Sequence, residues 1–228
     1  MGLPSPALRE FERSGFGRTA SEAWQLSALL ADAGLIHKSY EVTRRYRSNY
    51  AKVFPAGSAK NLWDLAYPRP YQKDMERFAA EAQIPPEFGW AIMRTESAFK
   101  ADAESWANAI GLMQLLVPTA KDLVRKGEPA ANAHSLKVPT VNMRLGTRFL
   151  GQLNERFKHI ALSSAGYNAG PGALGRWVRA RKHMPFDEFV EEIPFREARR
   201  YVKSVSSALA VYHYLNRGEF LRVPLRIP

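Results

Sequence analysis

The sequence predicts an all-α fold, and three observations carry that reading. Apolar residues recur every three or four positions through most of the 228 residues, the spacing of one helix face. Strand-like alternation is confined to the tail, Leu221-Arg-Val-Pro-Leu-Arg-Ile227, where Pro224 would remove a ladder hydrogen bond. No internal repeat and no low-complexity tract interrupts the helical pattern.

The elements follow in order. Thr19-Ala-Ser-Glu22 has capping-box form, and Ala23, Leu26, Leu30 and Ala33 continue at helical spacing until Gly34 stops the run. A second helix is predicted from about Ile36 to Phe54, with Tyr40, Tyr46 and Tyr50 among its larger residues, and Pro55-Ala-Gly-Ser58 breaks it. This hairpin cannot bury its apolar stripes alone and is expected to dock on the following domain or on a helical array. Tyr67-Pro-Arg-Pro-Tyr71 reads as a linker, because its prolines favour extended backbone. The predicted organisation is therefore a helical extension over 1–66 and a main domain over 67–228. In the main domain Tyr71, Met75, Phe78, Ala79 and Ala82 share a helix face, and Ile84-Pro-Pro86 starts another helix. Further helices are readable at about 139–157, 159–168, 173–183, 186–192 and 195–217. The last has Ala198, Tyr201, Val202, Val205, Ala208, Leu209, Tyr212 and Leu215 on its stripe and Gly218 at its end.

Composition narrows the function classes. Hydrophobic residues make up 46%, with 12 Phe, 9 Tyr and 5 Trp, which supports a packed core and excludes a globally disordered chain. No run of about 18 apolar residues occurs, so no transmembrane helix is predicted. The opening Met1-Gly-Leu-Pro-Ser-Pro6 has neither a basic start nor an apolar stretch and does not read as a signal peptide. If the protein is exported, its signal has been removed or lies upstream. Cys is absent, which excludes disulfides and thiolate metal sites, and the five His (37, 134, 159, 183 and 213) stand at no ligand spacing. No metal and no cofactor is expected.

Net charge is +11 and the pI is near 10, a balance suited to polyanions: nucleic acid, anionic lipid or an acidic wall polymer. The charge is diffuse. Residues 1–60 hold nine Lys/Arg and five Asp/Glu, a net of +4, and the other +7 is spread over the rest. With no basic tail, no basic helix and no helix-turn-helix signature, nucleic acid is not an expected partner.

The chemistry centres on Glu96. Phe88, Ile92 and Glu96 stand at i, i+4 and i+8, with Met93 beside them, so Glu96 lies on an apolar stripe near a helix end. Lost hydration raises a carboxyl pKa, and a carboxyl protonated near neutral pH can cleave a glycosidic bond by general acid catalysis. The same position also suits a buried Glu that merely holds a loop. Residues 97–110 lack an apolar period and read as an ordered loop. Gly111-Leu-Met-Gln114 and Gly166-Tyr-Asn-Ala-Gly-Pro-Gly172 follow as Gly-rich turns that allow close backbone approach to a ligand. Gln114 and Asn168 are amides that donate and accept, as sugar hydroxyl and acetamido groups require, and Tyr167 adds a ring face and a hydroxyl.

These segments together resemble the soluble lytic transglycosylase family. Glu96-Ser-Ala-Phe99 with Ser105 and Gly111-Leu-Met-Gln-Leu115 is similar to its signature, and Thr119-Ala120 fits as well. Asn142-Met-Arg-Leu-Gly146 with Phe149-Leu150 is similar to its next conserved helix. Tyr167-Asn-Ala-Gly-Pro-Gly172 resembles its substrate loop, and Ile193-Pro-Phe195 with Glu197, Arg199, Tyr201 and Val202 its closing motif. The resemblance covers about residues 67–217, and residues 1–66 match weakly the helical region before the catalytic domain in larger members.

The resemblance implies a lysozyme-like catalytic domain around a cleft, in the periplasm or cell envelope. Peptidoglycan glycan strands would be the partner, and wall-synthesis or envelope proteins would be candidate further partners. Glu96 would be the single catalytic residue, with Ser105, Gln114, the backbone at Leu116, Tyr167, Asn168, Glu197 and Tyr201 lining the glycan site. The reaction implied is non-hydrolytic cleavage of the β-1,4 bond between N-acetylmuramic acid and N-acetylglucosamine, leaving a 1,6-anhydromuramic acid end. The chain departs from the family where Ala101 stands for a common Pro, Asn108 for Gly, and Ala198 for Thr. Leu116-Val117 replaces a common Met-Pro, with Pro118 one place later. Two other readings remain open at this point: a lysozyme-type hydrolase in which Asp102 or Glu104 holds a water, and a wall-binding module that does not cut.

Overall fold

In the computed structural model the described residues are 13, 19–45, 50–57 and 59–228. The readings made of residues 1–6, of Tyr46 and of Ser58 fall outside them. The chain divides into two compact units, residues 1–70 and 71–228.

The first unit contains α1 (Ala20–Asp32), α2 (Ile36–Arg45) and α3 (Ala59–Ala66). The capping box forms: the Glu22 amide donates to Thr19 Oγ1 at 3.3 Å and the Thr19 amide to Glu22 Oε2 at 3.2 Å. Gly34, at φ +77°, turns the chain between α1 and α2. The two helices meet through buried serines, Ser27 and Ser39, whose hydroxyls lie 2.8 Å apart. Tyr50 is 2% exposed and meets the rings of Trp24, Trp63 and Tyr67 edge-on, with centroids 5.8, 5.0 and 6.4 Å away. The unit thus has an aromatic centre of its own. Helix α3, unassigned from the sequence, contributes Trp63 to it, and at eight residues it is too short to display a helical period.

The second unit runs α4 (Gln72–Glu81), α5 (Pro86–Glu96), β1 (Ala109–Ile110), β2 (Leu115–Leu116), α6 (Val117–Leu123), a 3-10 turn (Ser135–Lys137), α7 (Pro139–Phe157), α8 (Ile160–Ala169), α9 (Pro171–Ala180), α10 (Phe186–Glu191) and α11 (Arg196–Arg217). It is all-α apart from the antiparallel β1–β2 pair, in which Ala109 faces Leu116 and Ile110 faces Leu115. Strands of two residues carry no alternation, so the pair was invisible in the sequence.

Helix α5 is the central element. Pro86 supplies the fixed φ of a first helical position. Phe88, Trp90, Ala91, Ile92 and Met93 are all buried, enclosed by α4, α7 and α11. Each large side chain so buried contributes roughly 1.5–3 kcal/mol. Gly89 permits the close packing, since a Cβ there would collide with the Met75 thioether of α4. Two further clusters flank this core. One joins Leu153, Leu162, Leu174, Trp177, Phe189 and Val202; the other joins Ile110, Leu115, Leu123, Leu136 and Leu145. Phe149 and Tyr167 pack against both.

Two local expectations change. Gly166–Gly172 is not one long turn, because α8 continues through Gly166 to Ala169 and Pro171 at once begins α9. Gly166 is a packing glycine: a Cβ there would stand 3.0 Å from Leu153 Cδ2 and 3.1 Å from Leu174 Cδ2. Only Gly170, at φ +83°, makes the turn. The tail does form one bridge, Pro185 to Arg226, with the Phe186 amide on Leu225 O at 2.8 Å and the Ile227 amide on Met184 O at 3.1 Å. Pro224 keeps its carbonyl for His159, whose Nε2 donates to it at 3.0 Å. His159 therefore pins the tail to the start of α8.

Candidate active site

Glu96 is the last residue of α5 and is partly buried. Tyr201 of α11 donates its hydroxyl to Glu96 Oε1 at 2.5 Å. Glu197 stands one turn earlier on α11, at the i−4 position that shares a helix face with Tyr201. The Glu96 carboxyl is pushed up to about 7. Burial is the main cause and the Glu197 charge adds to it, while the Tyr201 hydrogen bond pulls the other way and loses. The Tyr201 and Tyr167 hydroxyls are held well above their ordinary range, first by burial and then by the Glu96 charge, so both stay protonated donors.

The chain leaves Glu96 under strain. Ala98 and Phe99 are consecutive left-handed residues, at φ 50° and 67°. A non-Gly residue there costs roughly 1–2 kcal/mol. Buried Phe99 anchors the turn. Nothing in Ala-Phe announces this conformation, which tertiary packing imposes.

The C-cap residue of α5 and side chains from two other helices then fix the returning backbone. The Ser97 hydroxyl donates to Leu112 O at 2.7 Å. Asn142 of α7, fully buried, accepts from the Met113 amide and donates to Ile110 O and Leu136 O, each at 2.8 Å. Tyr167 of α8 donates to Met113 O at 2.7 Å. Between these ties Gly111 sits at φ +83°, where a Cβ would drive into the Asn142 amide and the Leu136 carbonyl.

The family model described as "Transglycosylase SLT domain" matches residues 75–190, which is 116 of the 228 residues. The chain belongs to that family. The chain is 35% identical over 163 residues to the soluble lytic murein transglycosylase of Escherichia coli K12, covering 68% of this chain and 25% of that protein. The solved structure of an inactive mutant of lytic transglycosylase Slt from Pseudomonas aeruginosa superposes with a TM-score of 0.69 at 32% identity, over 96% of this chain and 37% of that one. The 70-kDa soluble lytic transglycosylase of Escherichia coli superposes at 0.72 with 28% identity, over 92% of this chain and 35% of that one. The chain thus spans between about a quarter and two-fifths of the length of these relatives, and its all-α fold is theirs.

Six of the eight expected site residues fall into two groups. Glu96, Tyr201, Tyr167 and Glu197 form one electrostatic cluster, in which each of the other three interacts with Glu96. Ser105 and Gln114 hold the loop itself. Ser105 Oγ accepts the Ala109 amide at 3.0 Å, and the Gln114 amide donates to Ala103 O at 3.2 Å and Gly111 O at 3.0 Å. Leu116 is 44% exposed on β2, and Asn168 is exposed near the end of α8. Asp102 and Glu104 are exposed, and Glu104 pairs with Lys137 at 3.1 Å. The hub role of Asn142 was not read from the sequence. Its signal was there: an Asn at the head of the stripe Leu145, Gly146, Phe149, Leu150 has to find partners in the core.

Proposed function

We propose that this SLT domain cleaves the β-1,4 bond between N-acetylmuramic acid and N-acetylglucosamine in bacterial peptidoglycan without consuming water. The observation that carries the reading is the Glu96 carboxyl, held near 7 at a helix end while Tyr201 occupies one of its oxygens. With Oε1 engaged, Oε2 carries the transferable proton. Glu96 protonates the leaving glycosidic oxygen, and the muramoyl 2-acetamido group stabilises the developing cation. Glu96, now ionised, takes the proton of the same sugar's C6 hydroxyl, which closes on C1 and leaves a 1,6-anhydro end. One group thus serves as acid and then as base.

The Glu197 charge favours this cycle, because it keeps Glu96 protonated until the leaving oxygen needs the proton. Tyr201 steadies the carboxylate that results. Ser105, Gln114, the Leu116 backbone, Tyr167 and Asn168 are the residues proposed to contact the glycan. The name of the Escherichia coli K12 relative, a murein transglycosylase, supports the substrate class, and the Pseudomonas protein is inactive with a single Glu→Gln replacement. The place of action follows from the substrate: the bacterial cell wall, reached from the periplasm.

A hydrolytic reading rests on Glu197 rather than on Asp102 or Glu104, since Glu197 is the carboxylate whose charge reaches Glu96. As a base it would activate a water, the two-carboxylate arrangement of most glycosidases. Mass analysis of the products released from purified sacculi decides between the two. Anhydromuramoyl ends are expected, and reducing muramoyl ends, heavier by one water, would move the domain to the lysozymes.

A further inference from the structure

Four of the five tryptophans are buried or half-buried, but Trp106 is 97% exposed. Tryptophan is among the most buried side chains on average, and an indole left wholly in water forgoes a large hydrophobic gain. No ring contact to Trp106 occurs among the described residues. By contrast Phe195, also exposed, has the Trp177 ring 5.8 Å away.

The backbone beneath Trp106 is fixed. The Ser105 amide donates to Ala109 O at 2.9 Å, the Ala109 amide to Ser105 Oγ at 3.0 Å, and the Asn108 amide to Ser105 O at 2.9 Å. Asn108 closes the turn in the left-handed region, at φ 60°. Both feet of the turn are tied: Glu104 bridges Ile110, and Ala109 pairs with Leu116. This loop starts at Glu96 and returns to the Met113 carbonyl held by Tyr167. A rigid turn on the loop that follows Glu96 therefore holds a bare aromatic face out to solvent.

We propose that Trp106 is a stacking platform for a pyranose ring of the glycan strand, at a subsite away from the bond that is cut. The C–H face of a pyranose is apolar and flat enough to lie on an indole, and the indole Nε1–H can donate to a ring substituent. The exposed Asn108 amide beside it can donate to and accept from sugar hydroxyls. The proposal rests on the wall-glycan reading above and adds a binding contact to it. A platform that holds substrate and transition state equally raises KM when removed and leaves kcat alone.

The test uses the full chain. Trp106→Ala is expected to raise KM for soluble uncross-linked glycan strands roughly tenfold, the equivalent of about 1.4 kcal/mol, with kcat essentially unchanged. Trp106→Tyr, which keeps a ring, should recover most of the loss. In the Glu96→Gln background the same strands should shield Trp106 fluorescence from acrylamide, and the shielding should vanish when Trp106→Phe is added. Unchanged KM in Trp106→Ala, a loss confined to kcat, or tryptophan emission that the strands leave equally quenchable would each overturn the proposal. Because shielding is read without turnover, it can stand if the bond-cutting reading fails. Conversely, full cleavage with an unaffected Trp106→Ala variant defeats the platform alone.

Discussion

Tyr201 Oη and Glu96 Oε1 lie 2.5 Å apart, so a residue 105 positions downstream tempers the proton affinity of the proposed catalytic acid. The bond joins the first turns of α11 to the last turn of α5, two helices packed along one another. Burial and the Glu197 charge raise the Glu96 pKa while this hydrogen bond lowers it, and the balance settles at about 7.

That balance gives a pH prediction with opposite arms. The acid must be protonated to act, so kcat/KM should fall as pH rises through about 7. Glu197→Gln removes a contribution that raises the pKa and should move this alkaline limb to lower pH. Tyr201→Phe removes the contribution that lowers it and should move the limb to higher pH. Two pH–rate profiles check the pair, and limbs that shift in the same direction would refute this account of the site.

Asn142 makes a stability prediction. Asn142→Ala strands the Met113 amide and the Ile110 and Leu136 carbonyls inside the protein. Each buried polar group left unsatisfied costs about 1–3 kcal/mol, so thermal unfolding should show a drop of several degrees or more. Activity should fall with it, because the same bonds place Met113, on which Tyr167 rests. Gly111→Ala should act similarly through backbone strain and collision with Asn142.

Glu128 governs the acid side. Arg148 binds both its carboxylate oxygens at 2.7 Å and also donates to Leu123 O, and the Glu128 carboxyl is lowered to about 2, chiefly by the Arg148 hydrogen bonds. A depressed carboxyl pKa contributes stability that is present above the unfolded value and lost as pH falls toward the folded one. Urea unfolding across this window should show stability falling between about pH 4.5 and 2. Glu128→Gln should flatten that slope and cost about 2 kcal/mol at neutral pH.

Much of the helical frame was legible because its signals are local. The Thr19 capping box, the Gly34 and Gly218 stops and the stripe from Ala198 to Leu215 each needed only neighbouring residues. Glu96 was legible for the same reason, as a carboxyl on the stripe of Phe88 and Ile92. What escaped depended on contacts far apart in the chain. The left-handed Ala98-Phe99 turn, the β1–β2 pair and the ties that Asn142 and Tyr167 make to the 110–113 backbone arise only once α7 and α8 reach that loop. The bonds by which Ser105 Oγ and Gln114 Nε2 hold the loop's own backbone escaped in the same way. No local pattern distinguishes an amide turned inward from one turned outward.

Glu96→Gln tests the central claim most directly. Gln keeps the size of the side chain and can still accept from Tyr201, but it has no exchangeable acid proton. Both proton transfers are lost together, and general acid–base help is worth roughly 10²–10⁴-fold for each. Folding should persist. A raised carboxyl pKa means stability declines as pH rises from about 4.5 to 7, so above that window the variant should melt no lower than the parent. The measurement is release of soluble muropeptides from purified sacculi by well-folded Glu96→Gln, beside Asp102→Asn and Glu104→Gln. The account predicts at least about a thousandfold loss for Glu96→Gln and little for the other two. An active Glu96→Gln with a dead loop-carboxylate variant, or a Glu96→Gln that does not fold, would contradict it.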